Sequence, residues 1–561
     1  MSPAESREGR VPESVAHARR IAHDFDFPAE EVRRATRHFL KQLNEGLQRD
    51  GTSMCQIPSF VTNLPNGSEK GVCMAIDLGG TNLRVCSVEL NGDSTYSLTQ
   101  SKAVIPRDLM TAPTYKHLFK FIALQIKTFL EKHRPSDLET WARVLKEESI
   151  TEEARRKHCK SLGFTFSFTF DQHAIDKGTL LYWTKSFDIP DAVGRDPCAM
   201  LQEALDEQQL PLVVTALAND TVGTLATRAY TSPGRSSNVV GAIFGTGTNG
   251  AYMERISRIA KLHSTKAFRD AGPGEMMALN TEWGGFDNKL EVLPTTKYDR
   301  ELDRDSVNPD DQHFEKRISG MYLGEILRRI LVDLIQTRPS IFELEVSGGS
   351  LLHVPDSIDS SLLSMVVKDD TPELEHARGE ISRVLGATHV STNDAKAIKI
   401  LSEAIGRRSA RLSSVAIAGV ALQSGIFEAK TKTVAQPLSQ CWGLGINVLE
   451  PILYGVQTFW RFLASWLRVK VRITVPKKQS ASPAGGSGDR CMSEPEGEVE
   501  TIDIGVDGSL VEHFPNFEKH IREALGEIPE IGDRGDRMIK IGMARDGSGV
   551  GAALIAWAAR S

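Results

Sequence analysis

The chain opens on amphipathic spacing. From about Val15 to Arg49, Phe25, Phe27, Val32, Phe39 and Leu43 recur among charged residues at helical intervals, which predicts one or two helices lying on the surface. The period then changes. Gly71 to Asp77 is apolar, Leu78-Gly79-Gly80-Thr81 has turn composition, and Asn82 to Val88 resumes a strand pattern. A β-hairpin is expected here, not the strand-to-helix passage of a P-loop. Helical spacing returns from Tyr115 to Lys132. Between Leu162 and Phe170 aromatic and small polar residues alternate strictly, predicting a strand with its phenylalanines inward and Thr165, Ser167 and Thr169 on the other face.

Apolar runs at Leu210 to Leu217 and Val239 to Phe244 stop at Asn219-Asp220 and at Gly245-Thr246-Gly247-Thr248-Asn249. Such runs suit buried strands of a mixed sheet in an α/β fold, where ligands gather at strand ends. Helices are expected from Glu315 to Ile335 and from Asp394 to Leu422. A second hairpin is expected from Asp503 to Pro515 around Asp507-Gly508-Ser509, and a terminal helix over Ala552 to Ala559. No short-period repeat interrupts this order.

Composition narrows the partners. A chain of 561 residues exceeds the size of a single core and is expected to build two lobes with a cleft. With 25% charged residues and a net charge of -6, no broad basic field exists for nucleic acid or an anionic membrane surface. Small molecules are the expected partners. The seven cysteines are scattered without a CxxC pair, so a reduced compartment is expected. The amino end lacks an apolar core segment and carries Glu5, Glu8 and Glu13, unlike a signal or transit peptide. A cytoplasmic location is therefore expected.

One interval, about 425–499, stands apart. Its uncharged stretch Pro451 to Trp460 ends at Arg461, too short and too broken to span a bilayer, and Lys477 to Gly488 has linker composition. Three readings stay open: a surface insertion, an interfacial helix placing Trp460 and Trp466 beside Arg461 and Arg468, or unspliced sequence translated by mistake.

The chemistry gathers at the loops. Glycines let backbone N–H groups approach phosphate oxygens, and hydroxyls add donors. Asp77-Leu78-Gly79-Gly80-Thr81-Asn82-Leu83-Arg84 has this composition at the end of an apolar strand, where its acid can hold Mg²⁺ through water. Gly245-Thr246-Gly247 and Asp507-Gly508-Ser509 repeat the theme, so a phosphate-handling site is expected. A second set is acidic and amidic: Asn219, Asp220, Asn249, Glu282 and Glu315. Carboxylates accept, and amides both accept and donate, in fixed planes that match vicinal hydroxyls.

These residues, in this order, resemble the hexokinase family, its fungal hexokinases and glucokinases above all. The marks are AIDLGGTNLRV (75–85), LGFTFSF (162–168), WTKSFDIP (183–190), ALANDTVGT (216–224), GTGTNGAYME (245–254), LNTEWGGFDN (279–288), VLPTTKYD (292–299), RSARLSSVAIAGV (408–420) and DGSGVGAALIA (546–556). The resemblance runs from about Ile21 to Ala559, excluding the interval. It implies an actin-like ATPase (ribonuclease H-like) two-lobe fold with a cleft between small and large lobes. Residues 15–221 would form the N-terminal half and 222–560 the C-terminal half, with 425–499 inserted and the last helix returning to the small lobe.

The resemblance also implies roles. Ser167, Thr184, Lys185, Asn219, Asp220, Asn249, Glu282 and Glu315 would hold a hexose, with Asp220 as catalytic base and Lys185 screening charge. Asp77, Leu78, Gly79, Gly80, Thr81, Asn82, Arg84, Lys102, Thr246, Asp507, Gly508 and Ser509 would face the phosphates of ATP or its Mg²⁺. The helix of Gly419 and the Asp546 turn would border adenosine. The reaction implied is phosphorylation of the 6-hydroxyl of glucose or a related hexose, the first step of glycolysis. The pattern departs at Thr169 and Ser186, where the family has proline and glycine, and losing proline frees a φ angle beside the sugar. The alternative is a hexokinase-like sugar sensor that turns over poorly and acts through regulatory protein partners.

Overall fold

In a computed structural model of the chain, the structure describes residues 11–80, 82–147, 152–183, 187–232, 238–272, 274–427 and 501–560. The expected membrane-surface, linker or unspliced character of 425–499 therefore lies almost wholly outside the described residues, as do Thr81, Thr184, Lys185 and Ser186.

The amino end forms α1 (Glu13–His23) and α2 (Ala29–Gln48), the two helices expected. They are not surface decoration. Val32, Phe39 and Leu43 on the apolar face of α2, and Phe25 and Phe27 in the turn between the helices, are buried in the core that α9 (Thr392–Gln423) shares. A two-residue strand, β1 (Ile57–Pro58), follows, then β2 (Lys70–Leu78), β3 (Asn82–Asn91) and β4 (Tyr96–Val104). The hairpin expected around Gly79 is present: β2 and β3 are antiparallel, with Asp77 opposite Arg84.

Helix α3 (Tyr115–His133) leads to β5 (Lys160–Phe166), β6 (Thr169–Ala174), β7 (Lys177–Tyr182), α4 (Pro197–Glu207), β8 (Leu212–Ala218) and α5 (Asp220–Thr231). The alternating segment 162–170 is thus two strands broken at Ser167-Phe168, not one. Phe164 and Phe166 are buried as expected, but Thr165 is buried too, donating to the Ser548 carbonyl, because the opposite face is covered by the last helix. Next come β9 (Asn238–Phe244), β10 (Thr248–Arg255), β11 (Met276–Asn280), α6 (His313–Ile318), α7 (Gly320–Thr337), α8 (Ser360–Lys368) and α9. The helix expected from Glu315 to Ile335 is in fact α6 and α7, parted at Ser319. The chain closes with β12 (Ile502–Asp507), α10 (Ser509–His513), β13 (Ile539–Met543) and α11 (Gly547–Ala558).

Among the described residues two main sheets form, ordered β4-β3-β2-β5-β8 and β1-β11-β10-β9-β12-β13. Asp507-Gly508 does not close a hairpin. Strand β12 lies between β9 and β13, parallel to both, and passes into α10. An Asp-Gly pair serves a strand-to-helix turn as readily as a hairpin, and the partner strands are remote in sequence.

Between the sheets lie two helices. Helix α11 covers β2, β5 and β8 and packs on α5, which covers β9, β10 and β12. The layer is built from small residues, including Ala75, Ala216, Ala552 and Ala553, because the backbones nearly touch. A Cβ on Gly163 would stand 2.1 Å from the Ala552 carbonyl oxygen, and one on Gly551 only 1.8 Å from that of Gly223. Backbone atoms cannot swing aside as side chains do. Gly551→Val is therefore expected to cost about 3 kcal/mol, the upper range for overpacking, read as a lowered Tm of the full chain. A Tm within a degree of the parent would refute this packing.

Candidate active site

Strand register sets the first half of the site. Asp77 of β2 is level with Thr165 of β5, which is level with Ala218 of β8. The residues that follow this row on the parallel strands, Ser167 and Asn219-Asp220, emerge at one end of the sheet, where the chain must leave its ladder and side chains face a crevice. Ser167 N–H donates to the Leu78 carbonyl at 3.4 Å, tying the turn after β5 to the glycine turn after β2. Asn219 caps α5, its Oδ1 accepting from Thr221 N–H at 2.9 Å and from the Thr221 hydroxyl at 2.5 Å. Asp220 is the first residue of that helix and half-buried. A carboxylate is favoured at a helix N-terminus, and Asp220 Oδ1 also accepts the Thr221 N–H at 2.9 Å.

Arg84 lies 3.7 Å from Asp77, and Lys102 stands opposite Arg84 on β4. Leu78 is fully buried, so only its backbone is offered to a ligand. Asp507 belongs to the same neighbourhood. Burial pushes its carboxyl upward, against N–H groups donated by Gly508 and Gly547, with Asp546 raising and Arg84 lowering it further. Burial likewise pushes the nearby Cys86 thiol up to about 12, with Asp77 and then Asp546 contributing. Asp77, Arg84, Asp507 and the Asp546 turn therefore converge, although they come from opposite ends of the chain.

The other sheet supplies the rest. Gly508 has φ +124° and a Cβ there would lie 2.4 Å from the Phe244 carbonyl carbon, so the Asp507-Gly508-Ser509 turn rests directly on Gly245. Gly245 and Thr246 in turn accept N–H bonds from Gly320 and Met321 of α7 at 2.7 and 3.2 Å. Both turns are thus held by neighbouring backbone.

Beside them is a network the sequence only half revealed. Glu315 accepts the Thr248 N–H at 3.0 Å. Asn249 Nδ2 donates to Asn280 Oδ1 at 2.7 Å and to Glu282 Oε1 at 3.1 Å, and Asn280 Nδ2 donates to the same Glu282 oxygen at 2.6 Å. Glu282 itself is left-handed, with φ +51°, a conformation that costs of order 1 kcal/mol or more and tends to persist at functional sites. Asn280, the last residue of β11, is not marked by the pattern of the chain, because Glu282 beyond it leaves the strand with a left-handed backbone. Asp220 approaches this network through α5: its neighbour Thr221 places its carbonyl oxygen 2.5 Å from where a Gly241 Cβ would be. Gly241 is level with Ala251 and Ala251 with Asn280.

A cavity of about 550 Å³ adjoins the Asp507-Gly508-Ser509 turn, lined among others by Ser360, Ser364, Met365, Leu510, His513 and Phe514. Mostly apolar, with hydroxyls at one wall, it has the size and chemistry for a nucleoside. Gly419 does not border it. A Cβ at Gly419 would meet the Phe39 ring at 2.3 Å, so this glycine lets α9 close on α2 in the core. No sequence signal marked α8 as the wall.

A hexokinase family profile matches residues 17–230, and a second hexokinase profile matches 239–439 and 478–558. The chain belongs to the hexokinase family. It is 44% identical to a glucokinase of Aspergillus niger over 96% of both chains, and 36% identical to glucokinase-1 of Saccharomyces cerevisiae over 96% of this chain and 95% of that one. Among solved structures it is similar to a Schistosoma mansoni hexokinase complexed with glucose, with a TM-score of 0.68 and 27% identity, covering 97% of this chain and 99% of that chain. The sheets and the paired helices between them are the actin-like two-lobe fold of that family.

Proposed function

We propose that this hexokinase-family enzyme moves the γ-phosphoryl group of ATP to the 6-hydroxyl of a hexose, glucose above others, with Asp220 as catalytic base. What supports the reading is that Asp220 heads α5, whose Thr221 carbonyl packs against Gly241 of β9, two strands from the Asn280 that bonds Glu282. Asn249, Glu282 and Glu315 hold sugar hydroxyls, and Asn280 orients Glu282. Ser167, Asn219 and, outside the described residues, Thr184 and Lys185 complete the sugar side.

The N–H groups of Gly80, Asn82 and Thr246, the hydroxyl of Ser509, and Arg84 and Lys102 take the phosphates, with Gly79 and Gly508 letting the backbone come close to them. Thr81 keeps the same proposed role. The nucleoside fills the cavity between α8 and α10. The family uses ATP with a divalent metal, and the all-oxygen donors Asp77 and Asp507 fit Mg²⁺, a hard cation that keeps several waters. When bound, that ion neutralises phosphate charge. Because phosphoryl transfer has a loose transition state, positioning and charge stabilisation dominate, and a hydroxymethyl is little more nucleophilic than water, so the lobes must close on the sugar to exclude solvent.

The test is sugar-dependent ADP release by the purified protein, lost in Asp220→Ala. Glucose binding in a calorimeter without turnover would favour the sensor reading instead. A cytoplasmic enzyme at the start of glycolysis is part of the same proposal, supported by the free cysteines 55, 73, 86, 159 and 198. No helix of the described residues is long and apolar enough to cross a membrane.

Gly508→Val provides a separate check on the nucleotide turn. Strain of about 1–3 kcal/mol from the left-handed backbone and the contact with Phe244 should raise KM for ATP roughly tenfold or more, with KM for glucose little changed. Equal KM values for ATP would remove Gly508 from the site.

A further inference from the structure

Behind Glu315 the chain gathers groups that neither the sugar nor the nucleotide uses. Asp303, at the end of the helix Lys297–Asp305, Asp310, in the exposed turn that follows, and His313, the first residue of α6, bring two carboxylate oxygens and a ring nitrogen within 4.8 Å of one another. His313 is 2% exposed, and its Nδ1 has no hydrogen-bond partner. That nitrogen points at Asp303, 3.6 Å from its Oδ1. A buried ring nitrogen aimed at a carboxylate without bonding to it is an expensive arrangement unless something sits between them.

The groups facing the cluster are Asp303 and Asp310, Lys316, whose ammonium lies 2.6 Å from Asp303 Oδ1 and 2.7 Å from the Asn308 carbonyl, and Arg317. Arg317 is committed elsewhere, to the carbonyls of Pro294 and His313 and the Thr295 hydroxyl. Two cations, Lys316 and Arg317, face two carboxylates, so the pocket is close to neutral before an ion enters. Burial, then Arg317, pushes the His313 imidazole down.

We propose that Asp303, Asp310 and His313 bind one divalent transition-metal ion of the zinc class, bridging the turn 306–312 to the helix that carries Glu315. One imidazole and two carboxylates with room for water suit Zn²⁺ or Co²⁺ better than Mg²⁺, which prefers oxygen alone. The ion would hold the turn against α6 without taking part in phosphoryl transfer.

The test uses the full chain, stripped of metal by a chelator, dialysed, and titrated with Zn²⁺ in excess Mg²⁺. One equivalent should bind and raise Tm, and Co²⁺ should give a visible absorption band. Asp310→Gly, which suits the left-handed backbone at φ +62°, and His313→Leu should each weaken Zn²⁺ binding roughly tenfold or more, with the Tm of the metal-free protein little changed for Asp310→Gly. If the parent binds no Zn²⁺, or if Asp310→Gly binds it as the parent does, the proposal fails.

Discussion

Asp220→Asn is expected to lower kcat by about 10² to 10⁴, the usual worth of a general base, while glucose still binds within a few-fold of the parent. Asparagine keeps the shape of the first residue of α5 and its place beside the Asn219 cap, so helix and sugar network should survive. What it loses is the capacity to take a proton. A fall in kcat/KM matched by the fall in kcat would mark an interaction made only in the transition state. A variant that instead lost glucose affinity while keeping kcat would show Asp220 to be a sugar ligand alone, and another base would have to be sought. Isothermal titration with glucose and steady-state kinetics at saturating ATP separate the two results.

The parts of this site that could be read from sequence are those made by neighbours in the chain. The run 210–217 stops at Asn219-Asp220 because a buried strand cannot carry a charge inward, and the β2–β3 hairpin follows from apolar strands around two glycines. What could not be read is what distant segments decide. Asp507-Gly508 looks like a hairpin locally, yet β12 pairs with β9 and β13. Gly419 looks like a ligand residue in a conspicuous motif, yet its close neighbour is Phe39, contributed by the first helices. Ser360 and Ser364 lie in an ordinary amphipathic helix, and only the fold sets them beside Ser509. His313 is illegible for the same reason, since one histidine beside Glu315 shows nothing of the two aspartates folded against it.

Arg408→Met is expected to cost about 3–5 kcal/mol of stability, the range for breaking a buried ion pair from one side. Arg408 is fully buried in α9 and holds Asp299 with two parallel bonds of 2.7 and 2.8 Å, its guanidinium 4.5 Å from the centre of the Phe25 ring. Asp299 also caps its own helix, accepting the Thr296 N–H at 2.7 Å. Three segments, around residue 25, residues 296–299 and residue 408, thus meet on one pair of charges. Burial alone would push the Asp299 carboxyl up, but Arg408 and then Arg317 outweigh it and hold the group well below the usual carboxylate range. A lowered acid stabilises the fold above its unfolded value of about 3.9 and loses that contribution as pH falls through its folded value. The parent should therefore lose stability steadily below about pH 4, and the variant, already without the pair, should show a flatter acid limb. Removing both charges in Asp299→Leu with Arg408→Met should cost less than the sum of the single changes, because neither partner is then left buried and alone. Strict additivity in thermal or urea denaturation of the full chain would mean that Arg408 acts by packing on Phe25, and that the pair contributes nothing of its own.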